Sequence, residues 1–297
     1  MKRSLLLVAL SIVTQMAFCQ PDKTAYYKAD SYTYEGITLP FRQLDMNQDK
    51  DGKSILVVQL HGGTARGTNN TSQLSASAVD SVEIYLRVHG TKAIFLLPQC
   101  ASDRQWNEST RSVTTPMTEV LSHWLQDFIA SNDVDSTRVY ITGYSMGGSG
   151  TWRMLNDNTT MFAAACIAAA NPLMVEAAKV KLTPVYAIAG ENDNIMDAEK
   201  IEQFATSLQT LGGEARYDML TGCDHFATCD GAFTRERLAW MFSHKRNTPT
   251  AIHLNENNVN TVPEQFYTIN GTPTNASAMG ILIVKQANGT VHKIIKR

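Results

Sequence analysis

The sequence is short of cysteine, of net charge and of long apolar runs. It has five cysteines in 297 residues, and its formal net charge is -2. A charge this close to zero gives no electrostatic reason to expect binding to nucleic acid or to an anionic membrane. Beyond residue 20, no stretch has the roughly 20 consecutive apolar residues that a transmembrane helix needs. These features indicate a globular protein, and an apolar content of 43% is ordinary for a protein with a packed core.

The N-terminus has the pattern of a secretory signal peptide. Two basic residues precede the short apolar run 5–13, and residues with short side chains follow at Ala17 and Cys19. We therefore expect cleavage before Gln20 and a secreted protein, at the cell surface, in the periplasm or outside the cell. The alternative is a lipoprotein acylated at Cys19, although the bulky Phe18 is unusual at that point.

Export changes the interpretation of the remaining cysteines, because disulfides persist in an oxidising compartment. Cys166 lies in a strand-like apolar run and is expected to be a packed free thiol. Cys223 and Cys229 are close enough to close a short loop. Spacing alone does not determine their connectivity.

Between residues 55 and 242, short apolar runs alternate with amphipathic patterns. This alternation predicts a mostly parallel sheet covered by helices on both faces, preceded by a hairpin around Glu35-Gly36. The predicted strands are 55–60, 93–97, 138–142, 162–169, 185–189 and 215–220, and the predicted helices are 74–88, 116–130, 148–155, 197–211 and 233–242.

The composition changes after residue 246. Residues 248–263 are rich in Asn and Thr and have no clear periodicity, and three short strand-like pieces follow at 265–269, 280–284 and 291–295. We expect a signal peptide at 1–19, a main α/β domain at 20–246, a linker at 247–263 and a small β appendage at 264–297.

The strongest chemical signal is the G-x-S-x-G pattern of Gly143-Tyr144-Ser145-Met146-Gly147. It joins the predicted strand 138–142 to the predicted helix 148–155. Such a strand-to-helix turn needs small flanking residues and presents its serine hydroxyl at the carboxyl edge of the sheet. The context predicts that Ser145 is a nucleophile, whereas an isolated match would equally suit an ordinary turn serine.

A serine nucleophile needs a base and a group that orients the base, and in this fold they follow in the order acid, then histidine. Asp193 comes shortly after strand 185–189 and is the predicted acid, with Glu191 and Asp197 as rivals. His225 follows the last core strand and is the predicted base, since the other histidines, apart from His61, fall in helical patterns, past the last helix or in the appendage.

The negative charge that develops on the substrate needs two backbone donors. One is expected from Met146, directly after the nucleophile. The other is expected from the glycine-rich loop after strand 55–60, where Gly63 is preferred and Thr64 comes next. His61 in that loop is interpreted as structural.

Two further residues follow the carboxyl end of strand 93–97. Gln99 and Trp106 are expected to line the substrate cleft, although Trp106 suits the core equally well. Metal sites are not expected. Asn47–Gly52 resembles the opening of a calcium loop, but position twelve would be Val58. The zinc-like set of Cys223, His225 and Cys229 has neither a CxxC pair nor a fourth ligand.

These motifs resemble the polyhydroxybutyrate-depolymerase and feruloyl-esterase-like branch of the α/β hydrolases, which includes relatives described as predicted peptidases. The resemblance extends over about 26–246. It implies an α/β-hydrolase fold, a Ser-Asp-His triad without a cofactor, and hydroxycinnamate or acetyl esters of plant polysaccharide as substrates. One departure is that Phe226-Ala227-Thr228-Cys229 follows His225, where the predicted peptidases have His-x-x-Trp. The motifs that carry the resemblance are Leu60-His61-Gly62-Gly63, Pro98-Gln99-Cys100 with Trp106, Gly143 to Gly148 with Gly150-Thr151-Trp152, and Gly190-x-x-Asp193.

The tail resembles the C-terminal sorting domains of some Gram-negative secreted proteins, in which short strands end in a basic residue. Tyr267-Thr268-Ile269-Asn270-Gly271, residues 280–284 and Lys293-Ile294-Ile295 carry this likeness. The resemblance implies that the tail is an address for secretion machinery.

The expected function is that of a secreted serine carboxylic-ester hydrolase. A prolyl-oligopeptidase-like serine peptidase is the second hypothesis, because the same triad cleaves amides, but the sequence has no propeller domain. A catalytically dead surface binding protein is the third, and the complete predicted triad argues against it.

Overall fold

The computed structural model describes residues 22–247, 265–268, 272–275, 278–285 and 291–296. The predicted leader 1–19 with Cys19, nearly all of the predicted linker 247–263 and the Asn-Gly pairs at 270–271 and 288–289 lie outside the described residues. Among the described residues, no helix combines the length and the apolar character that crossing a membrane requires.

The main sheet has eight strands in the order β1-β2-β4-β3-β5-β6-β7-β8. Strands β1 and β2 run antiparallel to their neighbours, and the six strands from β3 to β8 run parallel to one another. The strands are β1 (Lys28–Tyr34), β2 (Ile37–Met46), β3 (Ser54–Leu60), β4 (Ala93–Pro98), β5 (Val134–Tyr144), β6 (Ala164–Ala168), β7 (Val185–Gly190) and β8 (Ala215–Leu220).

Helices cover both faces of this sheet. Alternate residues of β3 point to opposite faces, so that Leu56 and Val58 join one hydrophobic cluster while Ile55 and Val57 join the other. Helices α2 to α5 pack on the first face, and α1 and α7 pack on the second. The helices are α1 (Ser77–Val88), α2 (Met117–Ser131), α3 (Met146–Asp157), α4 (Ala177–Val180), α5 (Ala198–Thr210), α6 (His225–Gly231) and α7 (Arg235–Ser243).

The predicted hairpin is present at the edge of the sheet. Glu35 and Gly36 both have positive φ, 49° and 75°, which is the two-residue turn that matches the twist of paired strands. The second strand of the hairpin extends to Met46, because residues 41–46 pair with β4.

The site-forming region is the point where the strand order changes direction. Strand β3 lies between β4, the next strand in the chain, and β5, the strand after that. The loops that follow β3 and β5 therefore leave in opposite directions and open a crevice at the carboxyl edge, which is where open α/β sheets bind ligands.

Four short strands near the C-terminus form a second, antiparallel sheet in the order β10-β9-β11-β12. They are β9 (Gln265–Thr268), β10 (Pro273–Thr274), β11 (Gly280–Lys285) and β12 (Val291–Lys296). The prediction of a mostly parallel sheet with helices on both faces and a small C-terminal β appendage is confirmed.

Candidate active site

Ser145 lies in the sharp turn between β5 and α3. Its backbone has φ 54° and ψ -125°, a conformation that a residue with a side chain adopts only under constraint. A side chain on Gly147 would collide with the carbonyl of Leu60, and one on Gly143 would collide with the carbonyl of Gly147. The two glycines therefore allow the turn to close tightly against β3, as the G-x-S-x-G pattern predicts.

His225 joins Ser145 to Asp193 through two hydrogen bonds. Its Nε2 lies 2.9 Å from the Ser145 Oγ, and its Nδ1 lies 2.8 Å from the Asp193 Oδ2. The side chains of His225 and Asp193 are only 5% and 1% exposed, so the bond between them is shielded from water. Because a carboxylate can only accept, Nδ1 carries the proton and Nε2 presents its lone pair to the serine hydroxyl. This is the geometry of a serine nucleophile with its base and orienting acid.

Asp193 is held in place by its own turn. Its Oδ1 accepts hydrogen bonds from the backbone N–H groups of Ile195 and Met196, at 2.9 and 2.8 Å. This leaves Oδ2 for the imidazole and fixes which oxygen faces it.

The two rival carboxylates are engaged elsewhere. Glu191 is exposed and accepts the backbone N–H of Gly222 at 2.7 Å. Asp197 is the N-cap of α5 and accepts the backbone N–H of Lys200 at 3.3 Å. The structure therefore brings Asp193, and neither rival, to the imidazole.

The segment that carries the imidazole differs from the expectation. His225 lies outside the predicted helices, yet it is the first residue of the short helix α6, with Asp224 as the N-cap. The helix can form there because Gly190, the last residue of β7, has no side chain. A Cβ at this position would collide with the Thr228 Oγ1 and lie 2.6 Å from the carbonyl of Cys223.

The predicted oxyanion donors lie on the two loops of the crevice. Met146 is the first residue of α3, whose first hydrogen bond runs from the Ser149 N–H to the Ser145 carbonyl, so the Met146 N–H stays outside the helical ladder. Gly63 begins a short 3-10 turn that also includes Thr64. The neighbouring Gly62 is close to the nucleophile, since a Cβ built on it would lie 3.6 Å from the Ser145 Cβ.

Gln99 and Trp106 do not line a cleft, and this expectation needs correction. Both side chains are fully buried, with 0% exposure. The Gln99 amide donates to the Ala65 carbonyl at 3.1 Å and accepts the Asn70 N–H at 2.6 Å, which ties the loop after β3 to β4. The Trp106 Nε1 donates to the His61 carbonyl at 3.2 Å. Both side chains bind the loop after β3 on its buried side, so neither is placed to touch a substrate.

The cysteines also depart from one expectation. Cys223 and Cys229 are free thiols, so they do not close a loop. Burial raises the pKa of the Cys229 thiol to about 12, which keeps it neutral and unreactive beside the triad. Cys166 is a buried free thiol, as its strand position indicates. In the part of the chain that the structure describes, no three His, Cys, Asp or Glu side chains gather in a way that could hold a metal ion.

Two residues of the site were missed. Tyr144 lies with its ring against Gly62, and Phe226 is 64% exposed with its ring 5.6 Å from that of His225. Each is the immediate chain neighbour of a predicted catalytic residue. This adjacency was the only sequence signal available, and it does not tell which way either ring points.

Several solved structures similar to this chain are esterases. A thermostable esterase superposes with a TM-score of 0.65 at 25% identity, over 75% of this chain and 64% of that one. This chain thus spans less than two thirds of the length of that esterase. A ferulic acid esterase gives a TM-score of 0.54 at 14% identity, over 73% and 97% of the two chains. A feruloyl esterase module from Clostridium thermocellum, complexed with sinapinate, gives 0.54 at 12%, over 75% and 89%.

The likeness to these structures confirms the expected α/β-hydrolase fold. No curated protein matches the sequence significantly. Residues 94–244, which make up half of the chain and include β5, α3 and all three residues of the hydrogen-bonded triad, match the model of the Dienelactone hydrolase family. The chain belongs to the dienelactone hydrolase family.

Proposed function

We propose that this protein is a secreted serine esterase that hydrolyses carboxylic esters through an acyl-enzyme. The observation that carries the proposal is the hydrogen-bond chain from the Ser145 Oγ through His225 to Asp193. Membership of the dienelactone hydrolase family supports it, since a lactone is itself a cyclic carboxylic ester.

In the first half of the reaction, the Ser145 Oγ attacks the ester carbonyl while the His225 Nε2 takes its proton. The imidazolium that forms is stabilised by the Asp193 carboxylate. The carbonyl oxygen becomes negatively charged, and the N–H groups of Met146 and Gly63 are the donors proposed to bind it. The His225 Nε2 then gives its proton to the leaving alcohol as the carbon–oxygen bond breaks.

In the second half, water replaces the alcohol. The His225 Nε2 takes a proton from the water as the water oxygen attacks the acyl carbonyl. Collapse of the second tetrahedral intermediate returns this proton to the Ser145 Oγ and releases the acid. The cycle is complete without a cofactor.

The proposed substrates are feruloyl or acetyl esters of plant polysaccharide. Two exposed apolar side chains flank the triad and support an acyl group with apolar surface. Phe226 follows the base and is 64% exposed, and Ile195 follows the acid and is 55% exposed. Exposed apolar side chains beside reactive groups are typical of ligand-binding sites.

Two observations weigh on the alternatives. The complete triad disfavours a binding protein without catalysis, because such a protein has no use for a buried imidazole–carboxylate pair. A peptidase would use the same residues, so the choice between ester and amide rests on substrates.

Labelling with a fluorophosphonate tests the catalytic proposal. The wild-type chain is expected to react at Ser145, and the Ser145→Ala variant is expected not to react. A panel of p-nitrophenyl acetate, methyl ferulate, acetylated xylan and a prolyl peptide then separates the candidate activities. Folded wild-type protein that neither reacts with the probe nor cleaves any ester of the panel would overturn the esterase proposal.

We also propose that the segment 1–19 is a cleaved leader and that 264–297 is an address for secretion machinery. The basis of both proposals is the sequence pattern: a basic start with a short apolar run, and short strands that end in a basic residue.

A further inference from the structure

His61 has an unusual environment for a histidine. It directly follows β3 and is 2% exposed. Its Nδ1 lies 2.7 Å from the carbonyl oxygen of Gly62, and its Nε2 lies 3.0 Å from the backbone nitrogen of Cys100. Both ring nitrogens are therefore occupied by backbone groups, and neither is free to act on a substrate.

The partners determine where the proton is. The Cys100 N–H can only donate, so the His61 Nε2 must be the acceptor. The proton is then on Nδ1, which donates to the Gly62 carbonyl. Burial lowers the pKa of His61 to about 4, so that the ring stays neutral and keeps one donor and one acceptor at neutral pH.

The Gly62 carbonyl controls the neighbouring N–H. In a trans peptide the C=O and the following N–H point to opposite sides of the plane, and no cis peptide bond is present among the described residues. The Gly62 oxygen is held by the His61 Nδ1 and also by the Ala65 N–H at 3.2 Å. Two donors on one carbonyl fix the peptide plane, and with it the direction of the Gly63 N–H.

This peptide is next to the reacting group. A Cβ built on Gly62 would lie 3.6 Å from the Ser145 Cβ. We infer that His61 is a positioning residue of the oxyanion hole, whose Nδ1–H turns the Gly62–Gly63 peptide so that the Gly63 N–H faces the developing oxyanion. The inference rests on the proposed esterase function.

Trp106 holds His61 in place from the other side. Its Nε1 donates to the His61 carbonyl at 3.2 Å, and the two rings meet edge to face with centroids 5.2 Å apart. The indole in turn packs against Gly150 of α3, where a Cβ would collide with the Trp106 Cβ. The loop after β4, the helix of the nucleophile and the oxyanion loop are thus joined through His61 and Trp106.

Two variants of equal shape separate positioning from mere packing. Asparagine and leucine both branch at Cγ, so His61→Asn and His61→Leu leave the same void and lose the same bond to Cys100. Only asparagine retains a donor near the position of Nδ1. We expect His61→Leu to lower kcat for p-nitrophenyl acetate by about 10²-fold or more, the usual effect of losing one oxyanion donor. For His61→Asn we expect a loss of less than about tenfold, and KM should change little in either variant.

Affinity for an aryl trifluoromethyl ketone gives a second readout. This ketone adds the serine hydroxyl and places an oxyanion in the hole, so its Ki should rise in parallel with the loss of kcat in His61→Leu. Equal losses of kcat in the two variants, or a folded His61→Leu variant with wild-type kcat and Ki, would overturn the inference.

A measurement on the wild-type protein tests the inference even if the variants do not fold. Nitrogen-15 NMR should show His61 as the neutral tautomer with the proton on Nδ1 from pH 8 down to about pH 5. A proton on Nε2 would overturn the inference. If the esterase proposal itself is wrong, the wild-type chain will show neither probe labelling nor ester hydrolysis. This result is distinct from a failure of the inference about His61.

Discussion

At the scale of the residue, the carboxylate of Asp193 has two unequal oxygens. Oδ1 is fixed by two backbone N–H groups, and Oδ2 faces the His225 Nδ1. An asparagine at this position would keep its oxygen on the two N–H groups and turn its NH2 toward the imidazole. The ring would then have to accept at Nδ1 and carry its proton on Nε2, the tautomer that cannot take the proton of Ser145.

Asp193→Asn is therefore expected to lower kcat by on the order of 10³- to 10⁴-fold, as the loss of the orienting acid does in other triads. Asp197→Asn is the matched control. It makes the same chemical change four residues away, at an N-cap where asparagine is as good as aspartate, and should stay within about twofold of wild type. Steady-state kinetics on p-nitrophenyl acetate at pH 8 measures both. A larger loss of kcat in Asp197→Asn than in Asp193→Asn would mean that Asp197, and not Asp193, is the orienting acid.

Single residues also mark where sequence reasoning reaches its limit. Ser145 and Asp193 were predictable because each follows a strand, and the carboxyl ends of parallel strands meet at one edge. Gln99 and Trp106 satisfy the same condition and yet are buried. A position after a strand predicts the edge of the sheet, but whether a side chain turns outward or inward depends on backbone groups far away in the sequence, here those of Asn70 and His61.

At the scale of the element, α6 shows why a helix can be missed. The segment His225–Gly231 is seven residues long and contains Asp230 and Gly231, so it has neither the length nor the periodicity of a predictable helix. It forms because Asp224 caps it and because Gly190 lets it approach the end of β7. The local sequence provides the cap, whereas the space comes from a strand more than thirty residues earlier.

Gly190→Ala tests this arrangement. The new Cβ would collide with the Thr228 Oγ1 and crowd the carbonyls of Cys223 and Asp224, at 2.6 and 3.1 Å. The first turn of α6 must then move, and His225 moves with it. Since a misplacement of about 1 Å costs on the order of 10² in rate, we expect a loss of kcat of that size together with a lower Tm.

Gly231→Ala is the control for the same helix. Its nearest neighbour is the Leu220 Cδ1 at 4.0 Å, and its φ is not in the left-handed region, so alanine fits without strain. The rate of fluorophosphonate labelling and the Tm of both variants should be compared with wild type. Wild-type labelling in Gly190→Ala would mean that the close approach of α6 to β7 does not position the base.

At the scale of the whole molecule, the site is assembled from four segments that meet at one edge of the sheet. The segments that follow β3, β5, β7 and β8 contribute the predicted oxyanion donor, the nucleophile, the acid and the base. The sequence does not predict the strand order β4-β3-β5, at which the order changes direction. Alternation of strands and helices indicates a parallel sheet, but it does not show which strands are neighbours. The division into leader, main domain, linker and tail remains a prediction.

The molecule as a whole should also lose stability in acid because of His61. Burial lowers the pKa of this imidazole to about 4 in the folded chain, against about 6.5 in an unfolded one. Between these values the unfolded chain binds a proton that the folded chain does not. The contribution of His61 to stability is thus complete above pH 6.5 and is lost as the pH falls toward 4. A difference of this size corresponds to on the order of 3 kcal/mol.

Urea unfolding of the wild type and of His61→Asn at pH 7 and pH 4.5 isolates this contribution. Other carboxylates and histidines titrate in both proteins, so their effect cancels in the difference between the two. An asparagine does not titrate, and the wild type should therefore lose about 2 to 3 kcal/mol more than the variant between pH 7 and pH 4.5. A difference that is the same at both pH values would mean that His61 binds its proton equally well in the folded and unfolded chains. Such a result would also contradict a neutral His61 ring with a hydrogen bond at each nitrogen, on which the orientation of the Gly62–Gly63 peptide depends.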